Sequence, residues 1–211
     1  FEPKLHLDRI APAERTLFID ADCLVYSRLD GAFEAFAGQA VSVVRERLSG
    51  DGERFGDVAS YCQHLSVEEI PIFTGGIYYL EGPEAQSVYA QARHLLLSYD
   101  RLGLVRLRGL PNEEVLVSGA MACHNLWGVP DGGSIVGDFQ TSPGRASLDI
   151  IRGESRMTNP PPPSPDHCPW APVRSIAPAI VHFLGSHNRL PDYRAEAATL
   201  RWIARGVPAE V

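Results

Sequence analysis

Residues 14–19 (Glu-Arg-Thr-Leu-Phe-Ile) lead straight into Asp20-Ala21-Asp22, and Cys23-Leu24-Val25-Tyr26 follow. A short apolar run that ends in acids reads as a buried β-strand delivering carboxylates at its carboxyl end, the end at which open α/β sheets bind ligands. Residues two apart on a strand share a side, so Asp20 and Asp22 are expected to reach one hard divalent cation together. On this motif alone, a pair of solvated turn acids remains an equal reading.

The rest of the chain alternates between strand and helix signals. Asp30 to Phe36 reads as a short helix, 41–44 as a buried strand and 49–57 as a surface loop. The run 70–80 is strand-like, and Gly75-Gly76 interrupts it, as where backbone approaches a ligand or another segment closely. Pro83-Glu84 opens a helix with Val88, Ala92, Leu95, Leu96 and Tyr99 on one face, and 104–107 resembles a short strand. Asn112 is placed to cap a helix that carries Glu113 and Glu114 in its first turn, where acids suit the helix dipole. Glycines and prolines crowd residues 128–175, which read as a long connection and not a core element. A strand is expected over 180–184, ending at Gly185, and a last amphipathic helix over 192–205. This alternation points to the α/β class, and 211 residues fit a single domain spanning 1–211.

Composition removes several function classes. Nineteen basic residues against 26 acidic ones give a net charge of −7, which argues against a chain that wraps nucleic acid or lies on an anionic membrane. No apolar run approaches the ~18 residues of a membrane span. The four cysteines, Cys23, Cys62, Cys123 and Cys168, form no CxxC and read as reduced thiols, neither a zinc site nor a disulfide framework. A cytoplasmic enzyme-sized domain is the expectation.

His182, in Val181-His182-Phe183-Leu184-Gly185, is by itself read more readily as a satisfied core histidine than as a ligand. A phosphohydrolase using Asp20 as nucleophile is a minor alternative. It wants Thr or Val where Leu24 stands and a later lysine, whereas the lone lysine, Lys4, precedes the motif.

Taken together, four segments in order resemble glycogenin and its relatives, the retaining glycosyltransferases of family eight. Lys4-Leu-His-Leu, then Arg15-Thr-Leu-Phe-Ile-Asp-Ala-Asp-Cys-Leu-Val25, looks like the family's metal-binding region. Phe73-Thr-Gly-Gly-Ile77 resembles its Phe-Asn-Ser-Gly-Val segment, with Thr74 in place of Asn. Asn112-Glu-Glu-Val-Leu116 sits where the family opens a helix with an acid-amide pair. Val181-His-Phe-Leu-Gly185 is similar to the start of His-x-x-Gly-x-x-Lys-Pro-Trp, with Arg189 a stand-in, one position out of register, for the phosphate-binding lysine.

The resemblance implies a GT-A fold, a Rossmann-like mixed sheet flanked by helices, whose first nucleotide-binding segment would precede Phe1. It implies transfer of a sugar from a nucleoside-diphosphate sugar, a UDP-sugar first, to an acceptor hydroxyl with retention at the anomeric carbon. Asp20, Asp22 and His182 would hold Mn²⁺ or Mg²⁺. Lys4, Asp20, Ala21, Asp22, Thr74, Gly75, Gly76, Gly185 and Arg189 would bind the donor. Glu113 and Asn112 would face the reacting sugar, although an acid at a helix N-terminus and a glycine bulge needed only for packing remain the bland readings. A glycosyltransferase-like domain that binds nucleotide or a partner without turnover is the non-enzymatic alternative. The acceptor is unspecified, and a homo-oligomer is allowed.

Overall fold

The computed structural model describes residues 2–51, 55–139, 146–159 and 174–206. The proline run of 160–163 and Cys168 lie outside them. Along the chain the described elements are α1 (Leu7–Ile10), β1 (Arg15–Ile19), β2 (Cys23–Val25), α2 (Asp30–Phe36), β3 (Val41–Ser42), β4 (Val44–Ser49) and α3 (Val58–Leu65). Then come β5 (Ile70–Phe73), β6 (Ile77–Glu81), α4 (Glu84–Leu96), α5 (Glu113–Cys123), β7 (Val129–Pro130) and β8 (Val136–Asp138). The last are β9 (Ala146–Asp149), β10 (Glu154–Asn159), β11 (Arg174–Ile176), β12 (Ile180–His182) and α6 (Pro191–Ala204). The protein is mixed α/β, and its described strands form four three-stranded sheets. The chain divides into two compact units, Phe1–Ile19 with Phe33–Pro130, and Asp20–Ala32 with Asp131–Val211.

In the first unit β6 is the centre of an antiparallel sheet between β1 and β3, and β4 lies between antiparallel β5 and parallel β7. The core gathers Phe73, Tyr78, Tyr61, Tyr89, Leu116 and Met121. Helix α5 buries Val115 through Ala122 without a polar face, the pattern of a helix surrounded by protein. Two hydroxyl groups are satisfied inside that core: Ser118 donates to the Pro71 carbonyl, and the Tyr61 hydroxyl donates to the Val115 carbonyl. Glu113 is carried inward at the N-terminus of this helix.

Lys4 is held by a different device. It lies in a 3₁₀ turn, Glu2–His6, whose Leu5 enters the core together with Leu7 of α1. Asp8 of α1 is 3 % exposed and accepts both arms of the Arg93 guanidinium, at 2.7 and 3.0 Å, while Arg93 also donates to the Leu5 carbonyl at 2.7 Å. A planar fork that satisfies two carboxylate oxygens and a carbonyl fixes this segment onto α4 more firmly than a point charge would.

In the second unit β12 is central, antiparallel to β2 and parallel to β8. A second sheet, β9-β10-β11, is antiparallel throughout. Leu24, Tyr26, Phe139, Met157, Val181 and Phe183 form its core, with Phe139 stacked on Phe183 at 4.8 Å.

Several expectations change here. The stretch 128–175 is not only a connection, because β8 pairs with the buried strand β12 and β9 and β10 build a sheet. In β10, Ser155 and Met157 are buried while Glu154 and Arg156 are exposed, so the two-residue alternation of a half-buried strand is present. Residues 104–107 form no strand; Leu104 and Leu107 make only isolated bridges. Helix α3, capped by Asp57 accepting from the Ser60 amide, occupies a stretch to which no element was assigned.

Arg93→Ala would leave the Asp8 carboxylate buried without its partner. It is expected to destabilise the protein by about 3–5 kcal/mol, with Arg93→Lys recovering only part. Urea-unfolding midpoints at unchanged m-value measure both.

Candidate functional site

The chain leaves β1 at Ile19, and Asp20 to Asp22 form a turn in which the Cys23 amide donates to the Asp20 carbonyl at 3.0 Å. Asp20 and Asp22 therefore do not share a side by strand alternation, because the strand stops before the first of them. What gathers donor atoms is the register of the second unit's sheet. His182 is paired with Cys23 on one side and with Asp138 on the other. Directly opposed residues point to the same face, so Cys23, His182 and Asp138 form one row across three strands.

His182 is 3 % exposed. Its Nδ1 lies 2.9 Å from Asp138 Oδ1 and its Nε2 lies 3.4 Å from Asp22 Oδ1. A carboxylate only accepts, so Nδ1 carries a proton and Nε2 is the atom turned to Asp22. Burial works to lower the imidazole pKa, but the Asp138 hydrogen bond and the charges of Asp138, Asp22 and Asp20 outweigh it and hold the group above its ordinary value. Burial, with Asp22, Asp20 and Asp138 adding to it, pushes the Cys23 thiol up. One donor atom each from Asp22, Cys23 and His182 lie within 4.8 Å of one another. Cys23 thus stands where Asp20 was expected; Asp20 acts on both neighbours through its charge.

The other donor-binding candidates of this unit are less enclosed. Ala21 is exposed, and its carbonyl accepts from the Tyr193 hydroxyl at 3.2 Å. Gly185 opens a 3₁₀ turn with φ of +65° and open space where a Cβ would go. The left-handed backbone at this position suits glycine. Arg189 is exposed at the end of that turn.

The first unit brings together Lys4, Thr74, Gly75, Asn112, Glu113 and Glu114. The Lys4 ammonium donates to the Gly75 carbonyl at 2.6 Å, lies 3.5 Å from Glu113 Oε1 and sits 5.7 Å from the centre of the Tyr78 ring. The Gly75 amide donates to Glu114 Oε1 at 2.7 Å, and Thr74 donates to Glu46 at 2.7 Å. A Cβ on Gly75 would fall 2.6 Å from the Tyr78 hydroxyl and 3.0 Å from Glu114, so a side chain there would force these two neighbours to shift. Gly76 closes the turn, donating to the Thr74 carbonyl at 2.9 Å.

Asn112 caps α5, its side chain accepting from the Glu114 amide. Glu113 is 2 % exposed, and its Oε2 has no hydrogen-bond partner among the described residues. Burial raises its carboxyl above the ordinary 4.5, with Lys4 opposing. A buried acid with an orphaned oxygen is costly for stability and is the kind of feature that marks functional sites.

Asp138, Cys23, Glu114 and Glu46 were missed as candidates. Asp138 sat in a stretch read as loop, and Cys23 acquires meaning only through its pairing with a residue far along the chain. No protein-family model, curated protein or solved structure matches this chain.

The Glu113 carboxyl yields a pH test. A group whose folded pKa is raised favours the fold below its unfolded value and disfavours it increasingly as pH rises through the folded value. The stability of Glu113→Gln relative to the unaltered protein is therefore expected to grow as pH climbs from about 4.3, with a slope of at most about 1.4 kcal/mol per pH unit. Parallel urea-midpoint profiles from pH 4 to 8 would contradict this.

Proposed function

We propose that the chain carries the metal-binding part of a retaining, GT-A-type glycosyltransferase that moves a sugar from a nucleoside-diphosphate sugar, a UDP-sugar first, to an acceptor hydroxyl. The observation that supports it most is His182 Nε2 turned to Asp22, with Asp138 behind the ring fixing its tautomer. The ordered resemblance of the four motifs to family-eight glycosyltransferases supplies the reaction class.

The donor set suits a divalent cation. Carboxylate and imidazole facing one another at 3.4 Å, with a second carboxylate orienting the ring, is a ligand pair with its outer shell in place. Manganese accepts an imidazole more readily than magnesium does. When bound by Asp22 and His182, the ion would supply Lewis-acid neutralisation of the charge that develops on a leaving diphosphate.

The remaining roles belong to the chain's own side chains. Asp138 holds the imidazole so that Nε2 stays directed at Asp22. Asp20 adds negative charge to the same neighbourhood. In the first unit Lys4 supplies a positive point charge suited to a phosphate. Glu113 holds a carboxyl whose Oε2 lacks a donor among the described residues, and a sugar hydroxyl is a donor of the required kind. Asn112 positions Glu113 by capping its helix, and Thr74, Gly75 and Gly76 border Lys4.

Donor hydrolysis by the longest natural polypeptide containing this chain tests the reading. A panel of UDP- and GDP-sugars is run with Mn²⁺, with EDTA and with Asp22→Ala. Release of one nucleotide is expected with Mn²⁺ only, falling by about 10²–10³ in the variant, the range for loss of one electrostatic stabiliser. Failure of every donor to bind in the presence of metal would overturn the assignment, and tight binding without turnover, even with acceptors supplied, would favour a non-catalytic domain.

A further inference from the structure

The carboxylate and imidazole do not complete the donor set at this place, because the cross-strand row puts a thiol beside them. Cys23 faces His182 in register, and its neighbour Asp22 brings a carboxylate to the same spot. The three offer one oxygen, one sulfur and one nitrogen within 4.8 Å of each other. Sulfur changes which ion such a site prefers. Hard ions such as magnesium select oxygen, whereas thiolate selects zinc and its neighbours. Three protein ligands with a further position open is also the arrangement of reactive zinc sites, as distinct from closed structural ones.

We propose that Asp22, Cys23 and His182 form a three-ligand site for a borderline-soft divalent transition metal, with zinc and cobalt held more tightly than manganese or magnesium. The inference shares Asp22 and His182 with the metal-assisted reading above and adds Cys23. On binding, the protons on Sγ and Nε2 leave to solvent and a metal–sulfur and a metal–nitrogen bond replace them; a coordinating thiol is deprotonated outright. Asp138 keeps the Nδ1 proton throughout and acts as a positioning residue, holding the ring for the metal as outer-shell carboxylates do. Zinc in this site would leave an open position for a phosphate oxygen, and it would compete with manganese for the same two ligands.

Cobalt is the probe, because thiolate ligation gives it a near-ultraviolet charge-transfer band that oxygen and nitrogen ligands do not. The full chain is reduced, stripped of metal with a chelator and titrated with Co²⁺. The expected result is a charge-transfer band saturating at one Co²⁺ per chain, absent in Cys23→Ser and retained in Cys62→Ser, Cys123→Ser and Cys168→Ser. Zn²⁺ affinity is expected to fall at least about 10-fold in Cys23→Ser, the low end of what losing even an outer-shell partner costs. Mn²⁺ affinity, followed by water-proton relaxation, is expected to fall by less than Zn²⁺ affinity does.

A band that survives Cys23→Ser, or Co²⁺ binding to the unaltered chain with no band, overturns the ligation by Cys23. In that outcome manganese binding and donor turnover still stand, so the glycosyltransferase reading survives. Failure of the unaltered chain to bind Co²⁺, Zn²⁺ and Mn²⁺ alike overturns the site and the metal-assisted reading together.

Discussion

A hydrogen bond of 2.9 Å between His182 and Asp138 fixes the chemistry of the second unit. His182 is on the central strand of three and almost wholly buried, where an unbonded imidazole would be costly. Asp138 satisfies one ring nitrogen from the neighbouring parallel strand, and that leaves the other directed at Asp22. The same neighbourhood collects the carboxylates of Asp20, Asp22 and Asp138 around one ring. Burial works against a charged ring, but the Asp138 hydrogen bond and the three carboxylates hold its pKa above the ordinary value.

The first unit shows a related conflict between stability and chemistry. Helix α5 is buried along almost its whole length, yet it opens with Glu113, whose carboxyl is buried beside Lys4 with one oxygen unsatisfied among the described residues. Leucine or glutamine would relieve that cost. Asp8 and Arg93, by contrast, form a fully engaged pair whose evident result is to hold the Lys4 segment in place. The unit thus spends a good ion pair on positioning a residue and tolerates a poor one where a substrate hydroxyl is proposed.

The elements most legible in the sequence were those with strong local signals. The apolar run of β1, the spaced core residues of α4 and the Asn112 cap of α5 are written in adjacent residues, whereas β12 ends at His182 and not at Leu184. Three features were not. Strand alternation for Asp20 and Asp22 presumes that β1 continues, whereas it ends at Ile19. Prolines and glycines across 128–175 hid β8, β9 and β10, although Glu154 to Met157 alternate correctly. Cys23 looked inert because no second cysteine lies near it in sequence; its partner is His182, supplied by β-sheet register. Of the candidate site residues, the structure brings Asp22 to His182 and Lys4 to Gly75 and Glu113, and it gives Gly185 a left-handed backbone.

The most direct measurement of the central claim is the nitrogen-15 spectrum of the His182 ring at alkaline pH, before and after Zn²⁺ is added. The account requires a neutral ring protonated at Nδ1 before addition. After addition Nδ1 should keep its proton while the Nε2 resonance moves with one equivalent of metal. A ring protonated at Nε2 at the outset, or one whose Nε2 does not respond to Zn²⁺, would contradict a site built by Asp138 around His182.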